Sequence, residues 1–232
     1  SAFQLLHMDL FGQVNVLSVL QHAYCLVITD DYSRFTWVFF LRVKSETAEL
    51  LKHFITLMEN QLNKRVKAVR SDNGTEFKNG VLDFFCAEKG IARQYSAART
   101  PQQNGVAKRR NLTLIEAART MLVDSKLPTF FWAEAVNTAC YVQNRVIINK
   151  RHVKTPYEIL YGHKPSVGHF KVFGCRCTLL HLDSTTKFDA KADDCYFVGY
   201  AGKMVYRVYD KKTKQIVESY DVRWLEENDN DA

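Results

Sequence analysis

Two aspartates stand where strand-like runs give way to polar turns: Asp9 in His7-Met8-Asp9-Leu10-Phe11 and Asp72 in Ser71-Asp72-Asn73-Gly74. Alone, each has an ordinary explanation, Asp9 as a strand-end cap and Asp72 as the side chain that closes an Asx turn. A topology that lays the two strands side by side changes the chemistry, because neighbouring carboxylates repel unless a cation sits between them. The pair therefore suggests a magnesium site. A second constellation, His163, His169, Cys175 and Cys177, offers four zinc-ligand types, but its Cys-x-Cys spacing is tighter than that of structural zinc knuckles, which disfavours zinc. Cys25, Cys86, Cys140 and Cys195 complete a set of six cysteines with no Cys-x-x-Cys pair. Reduced, buried thiols and a reducing compartment, nuclear or cytoplasmic, are expected.

The elements that must position the aspartates follow from periodicity. Leu5 to Phe11, Tyr24 to Asp30 and Phe35 to Leu41 read as an antiparallel meander separated by Gly/Asn and Asp-Asp-Tyr-Ser turns. Ser45 to about Leu62 carries Leu50, Leu51, Phe54, Leu57, Met58 and Leu62 at helical spacing, with Glu46 and Glu49 at the end that favours acids. A strand from Val66 to Arg70, a helix from Val81 to Lys89 stopped by Gly90, and a strand from Ala92 to Tyr95 imply a mixed sheet with a crossover connection. Ser96 to Gly105 has loop composition, and helices follow from Val106 to Asp124 and from Pro128 to Asn144. Residues 1–150 thus form an α/β layer domain and 151–169 a linker. A β-rich module over 170–226 reads as a small barrel, with strands at Cys175 to Leu180, Cys195 to Tyr200, Tyr206 to Tyr209 and Gln215 to Val222, and 227–232 form an acidic tail.

The 232 residues, 47% hydrophobic, can bury a core. No run approaches the roughly 18 apolar residues of a membrane span, so no membrane association is expected. A net charge of +7 and a pI near 9.0 are compatible with a polyanionic partner, as they are with solvated lysines. The start at Ser1, with no initiator Met and no charged leader, reads as a fragment of something longer.

Longer motifs narrow the reading. His7-Met8-Asp9-Leu10-Phe11-Gly12, Thr29-Asp30-Asp31-Tyr32-Ser33-Arg34, Arg70-Ser71-Asp72-Asn73-Gly74-Thr75-Glu76-Phe77 and Thr100-Pro101-Gln102-Gln103-Asn104-Gly105-Val106-Ala107 resemble, in order, successive signatures of copia-type LTR-retrotransposon integrases, especially those of plants. The resemblance continues through Phe131-Trp132-Ala133-Glu134-Ala135, Lys154-Thr155-Pro156-Tyr157-Glu158 and Phe173-Gly174-Cys175. Lys187 to Ala192, Phe197-Val198-Gly199-Tyr200 and Tyr206-Arg207-Val208-Tyr209 resemble that family's C-terminal SH3-like module. It implies an RNase H-like mixed five-stranded sheet with helices on both faces, followed by an SH3-like barrel. It also implies a strand-transferase core in which three carboxylates hold two Mg2+ or Mn2+ ions, acting on retroelement ends and target DNA. Asp9 and Asp72 match the first two carboxylates.

The third should follow Asp72 with 35 residues between, at a position occupied here by Lys108. Leu112, Ile115 and Leu122 share a helical stripe with it, which points the lysine stem inward, whereas a solvated lysine extending the Lys108-Arg109-Arg110 run is the alternative on periodicity alone. Asp, Asp and Lys sum to one negative charge, so weak or absent metal binding at Asp9 and Asp72 is expected, with Lys108 ion-paired to one of them. Glu116 lies about 12 Å further along the helix axis and is a poor substitute; Glu76 reads as a turn or surface residue. Lys78, Arg93, Arg99, Arg109, Arg110 and Arg119 are the candidate phosphate contacts, and Gln102, Gln103 and Asn104 candidate base contacts. The aromatic runs Trp37/Phe39/Phe40 and Phe130/Phe131/Trp132 read as core, or as part of a homo-oligomer interface. Three functions compete: a working integrase, an inactive or domesticated DNA-binding descendant, and a protein-interaction scaffold.

Overall fold

Alternation along one strand decides how the first layer is built. In β2 (Tyr24–Asp30), Leu26 and Ile28 point to one face of the sheet and Cys25 and Val27 to the other, and all four are buried. A strand buried on both sides must be covered by helices on both sides. The computed structural model describes residues 1–96, 104–180, 192–202 and 204–225 and shows that arrangement. The sheet has the order β3-β2-β1-β4-β5, formed by β1 (Leu5–Gly12), β2, β3 (Thr36–Leu41), β4 (Ala68–Ser71) and β5 (Ala92–Tyr95). β1, β2 and β3 are antiparallel, whereas β4 and β5 run parallel to β1.

One face is covered by α1 (Thr47–Leu62) and α2 (Gly80–Lys89), whose Leu51, Phe54, Ile55, Met58, Leu82 and Phe85 meet Leu6, Met8, Leu26 and Ile28. Asn79 caps α2 by accepting from the Leu82 amide, and Gly90 ends it at φ +67°. The other face is covered by α3 (Gly105–Ser125) and α4 (Trp132–Val146). The aromatic runs are packed into these layers: Trp37 and Phe39 stand edge-on to Phe54, and Phe40 to Trp132. The segment read from sequence as a linker folds a short helix, α5 (Pro156–Tyr161), with Thr155 accepting from the Glu158 amide and proline in the first turn.

A second, wholly antiparallel five-stranded sheet follows in the order β10-β6-β7-β8-β9, made by β6 (Arg176–Leu180), β7 (Ala192–Tyr200), β8 (Tyr206–Asp210), β9 (Gln215–Ser219) and β10 (Val222–Trp224). The single strand expected over Gln215 to Val222 is therefore two, broken at Tyr220-Asp221. This sheet is docked on α4. Arg207 donates to both oxygens of Glu134, at 2.8 and 2.9 Å, Thr138 donates to the Val198 carbonyl, and the Tyr141 and Tyr200 rings stack at 4.4 Å. Gly199 allows the approach, since a Cβ there would lie 2.8 Å from the Thr138 hydroxyl.

Candidate functional site

Parallel pairing of β1 with β4 matches Leu5 to Ala68, Leu6 to Val69 and His7 to Arg70, so continuation of that register sets Asp9 level with Asp72 just beyond the end of β4. The crossover through α1 brings the two carboxylates together. Asp72 closes the expected Asx turn, accepting from the Gly74 amide at 3.0 Å. Asp9, only 9% exposed, shares its strand face with His7 and Phe11 and meets α3. Its Oδ2 accepts from the Asn111 amide at 2.7 Å, and its Oδ1 from Asn104 at 3.5 Å. Asn104 also donates to the Met8 carbonyl. Both asparagines are buried, and their side-chain oxygens have no partner among the described residues.

Burial, then the negative charge of Asp72, then that of Glu76 push the Asp9 carboxyl up to about 6, while the Lys108 cation and the Asn111 hydrogen bond pull it down. Glu76, partly exposed in the turn that follows Asp72, thus adds to this field. Its carboxylate folds back over Gly74, where a Cβ would come within 2.7 Å of it.

Two expectations about α3 are corrected. Its buried stripe is Ala107, Asn111, Leu114 and Ala118, whereas Leu112 is 61% exposed. Small side chains won over large ones because α3 packs directly on β1 and β2, where alanine leaves room. Lys108 is accordingly one position off the core face. It is exposed and makes no ion pair with Asp9 or Asp72, so it acts on them through space. The direct ion pair expected from the sequence is absent because the stem leaves the helix on its solvent side.

The candidate nucleic-acid residues separate into groups. Lys78, Arg109 and Arg119 are exposed. Arg93 is engaged inside the fold, donating to Asp83 at 2.8 Å and to the Phe77 carbonyl and lying over the Tyr95 ring. Arg110 turns inward, its Nε on the Thr36 hydroxyl and its Nη1 on Gln143. Asn104, fully buried, faces Asp9 and not the surface. Arg99, Gln102 and Gln103 lie outside the described residues. Asn111 was missed by the sequence reading. The signal was there, since Asn104, Ala107, Asn111, Leu114 and Ala118 recur at helical spacing, but a stripe of small and polar residues looks like a surface.

Among the described residues, no three His, Cys, Asp or Glu side chains are arranged to hold a metal ion. Two carboxylates, with both oxygens of one already accepting from amides, do not match the donor set of a two-metal centre.

Family models match two stretches: residues 1–101 an integrase core domain, and residues 175–232 a retroviral polymerase SH3-like domain. The retrovirus-related Pol polyprotein from transposon TNT 1-94 of Nicotiana tabacum is 36% identical over 225 residues, covering 96% of this chain. The chain is an integrase core joined to a retroviral polymerase SH3-like domain. Two Arabidopsis thaliana Pol polyproteins, from transposons RE2 and RE1, are 31% and 30% identical to this integrase core and its SH3-like partner, over 80% and 91% of the chain. These plant relatives are consistent with a copia-type integrase. The chain spans only 17%, 13% and 14% of the three relatives' lengths.

Solved structures agree on the fold. The HTLV-2 integrase catalytic core in complex with magnesium, a trimeric form, superposes with a TM-score of 0.51 at 18% identity, over 68% of this chain and 96% of that one. The BIV integrase core gives 0.50 at 21% identity, over 69% of this chain and 95% of that one. A chain of the simian T-cell lymphotropic virus intasome in complex with PP2A regulatory subunit B56 gamma gives 0.55 at 15% identity, and the match covers 97% of this chain and 80% of that one. The sheet order of the integrase core is therefore RNase H-like.

Proposed function

We propose that this chain is a retroelement integrase core that binds DNA and whose strand-transfer step is impaired by Lys108. The observation that carries the reading is the charge arrangement around Asp9: two facing carboxylates, two amides occupying Asp9, and a lysine in place of the third carboxylate. A divalent ion bound there would activate the attacking hydroxyl and stabilise the leaving oxygen. Asp9 and Asp72 would hold it, weakly, because the lysine supplies positive charge to the same carboxylates. Glu116 is no replacement, being exposed and two turns beyond the position. DNA affinity rests on the separate basic surface of Lys78, Arg109 and Arg119 and survives the loss of metal. Assembly into multimers on DNA in a reducing, nuclear or cytoplasmic compartment belongs to the same reading.

The test compares this chain with Lys108→Glu in a strand-transfer assay with Mg2+ or Mn2+. Joining by the glutamate variant and not by the unsubstituted chain supports impairment at this position. Equal joining by both defeats it. Salt-sensitive binding of duplex DNA by both chains separates the DNA-binding reading from a protein-interaction scaffold, which would leave DNA unbound at low salt.

A further inference from the structure

Charge is concentrated at a second place in the fold. Between the first turns of α3 and the chain leaving α4 lies a cavity of about 390 Å³, with Thr29, Arg34, Arg109, Arg110, Asn149 and Lys150 in its wall. Four of these are cations, and no carboxylate among the described residues lines it. Arg34 has only a long, exposed contact with Asp31 at 3.7 Å, a geometry that contributes little in water. Arg109 and Lys150 are exposed and make no ion pair among the described residues.

Arg110 is the unusual member. Two of its guanidinium nitrogens donate to the neutral oxygens of Thr36 and Gln143, and the group also lies within hydrogen-bonding reach of the Cys140 thiol. No carboxylate among the described residues pairs with it, so its charge adds to the positive field of the cavity wall. With the exposed guanidinium groups of Arg34 and Arg109 and the Lys150 ammonium at the same wall, the cavity favours an anion, and forked guanidinium groups suit a tetrahedral one.

We propose that this cavity is a phosphate-binding pocket that receives a backbone phosphodiester of bound DNA, beside the carboxylate pair and not part of it. The proposal rests on the DNA-binding reading above and extends it, since Arg34 and Lys150 come from the β2–β3 turn and the segment after α4. Base edges play no part, so the pocket positions the duplex without reading its sequence.

The experiment measures the salt dependence of duplex binding for the unsubstituted chain, for Arg34→Gln/Lys150→Gln, and for a control, Arg65→Gln/Lys67→Gln, which removes the same charge from the α1–β4 connection. Thermal melting checks that all three fold alike. The expected result is a slope of log affinity against log salt shallower by about one for the pocket variant, with the control unchanged, because one phosphate fewer is neutralised when the duplex binds. A slope equal to that of the unsubstituted chain, or an equal reduction in the control, overturns the pocket while leaving DNA binding intact. Absence of any duplex binding by the unsubstituted chain at low salt defeats the DNA-binding reading, and the phosphodiester assignment with it. In a second arm, inorganic phosphate is compared with chloride at matched ionic strength. Stabilisation of the unsubstituted chain alone, with no change in DNA slope for the pocket variant, assigns the pocket to a free anion and overturns the DNA assignment.

Discussion

Asp9 is a carboxylate whose surroundings favour its neutral form, and Asp9→Asn should therefore change stability in opposite directions at two pH values. Its carboxyl rises from 3.8 to about 6 on folding, chiefly through burial and then through the charge of Asp72. At about 1.4 kcal/mol per tenfold, the rise is worth roughly 3 kcal/mol. Because the folded-state value is the higher one, the folded chain holds the extra proton. That stabilisation is fully present below pH 3.8 and is lost as the pH rises through about 6. At pH 7, with a chelator present, Asp9→Asn removes the unfavourable charge but leaves a single acceptor oxygen for two amide donors, at a cost of about 1 kcal/mol. The variant should then be more stable by about 2 kcal/mol, or about 4–8 °C in melting temperature for a chain of this size. At pH 4 the advantage disappears and the missing acceptor leaves the variant slightly less stable. Melting by circular dichroism across this range is the assay. A variant no more stable than the unsubstituted chain at pH 7, or an offset independent of pH, would refute the argument.

Lys108→Glu, in chelator at pH 7, should lower the melting temperature by replacing the cation that offsets Asp9 with a third negative charge, and added Mg2+ should restore it; unchanged melting would show that the lysine is electrostatically idle. Glu134→Ala removes the two-pronged partner of Arg207 but leaves its Nη1 contact with Glu218, and should cost about 1–3 kcal/mol in urea unfolding, whereas Glu134→Leu combined with Arg207→Met should recover most of it. Gly174→Ala places a Cβ 2.3 Å from that of Ser125 at a φ of +82°, and a clear drop in melting temperature should follow, whereas Gly80→Ala, with open space around it, should be neutral or stabilising. Burial raises Cys140 to about 11 and Cys25 well above the usual thiol range, so both should label only on unfolding in a thiol-titration assay at pH 8.

The first layer was readable because burial on it is periodic. Alternation in β1 to β3 and the apolar spacing of α1 gave elements within a residue or two of those observed, and the Ser71-Asp72-Asn73-Gly74 turn gave the place of Asp72. α5 was not legible because six residues carry too little period, although Thr155-Pro156 and Glu158 are a start signal. The face of α3 was misread for a physical reason. Large apolar residues usually mark the buried side, but a helix seated close on a sheet needs small ones, and Leu112 was left to solvent while Ala107 and Ala118 went in. Rotating the stripe by one residue moved Lys108 off the core and brought in Asn111, the residue that actually reaches Asp9.

That rotation also decides how the lysine can act. Had Lys108 been on the buried stripe, it would have had to pair with a carboxylate to avoid an uncompensated charge, and the site would be a closed ion pair. On the exposed flank it remains solvated and only biases Asp9 across the mouth of the site. Asp9 stays in the neutral-leaning state that burial, Asp72 and Glu76 impose. Among the described residues no third metal-ligating side chain is arranged with the two carboxylates, and Lys108 contributes only charge to them. A single exposed substitution at position 108 changes the charge facing Asp9 without repacking the core, which is why Lys108→Glu tests the electrostatics of the site rather than its packing.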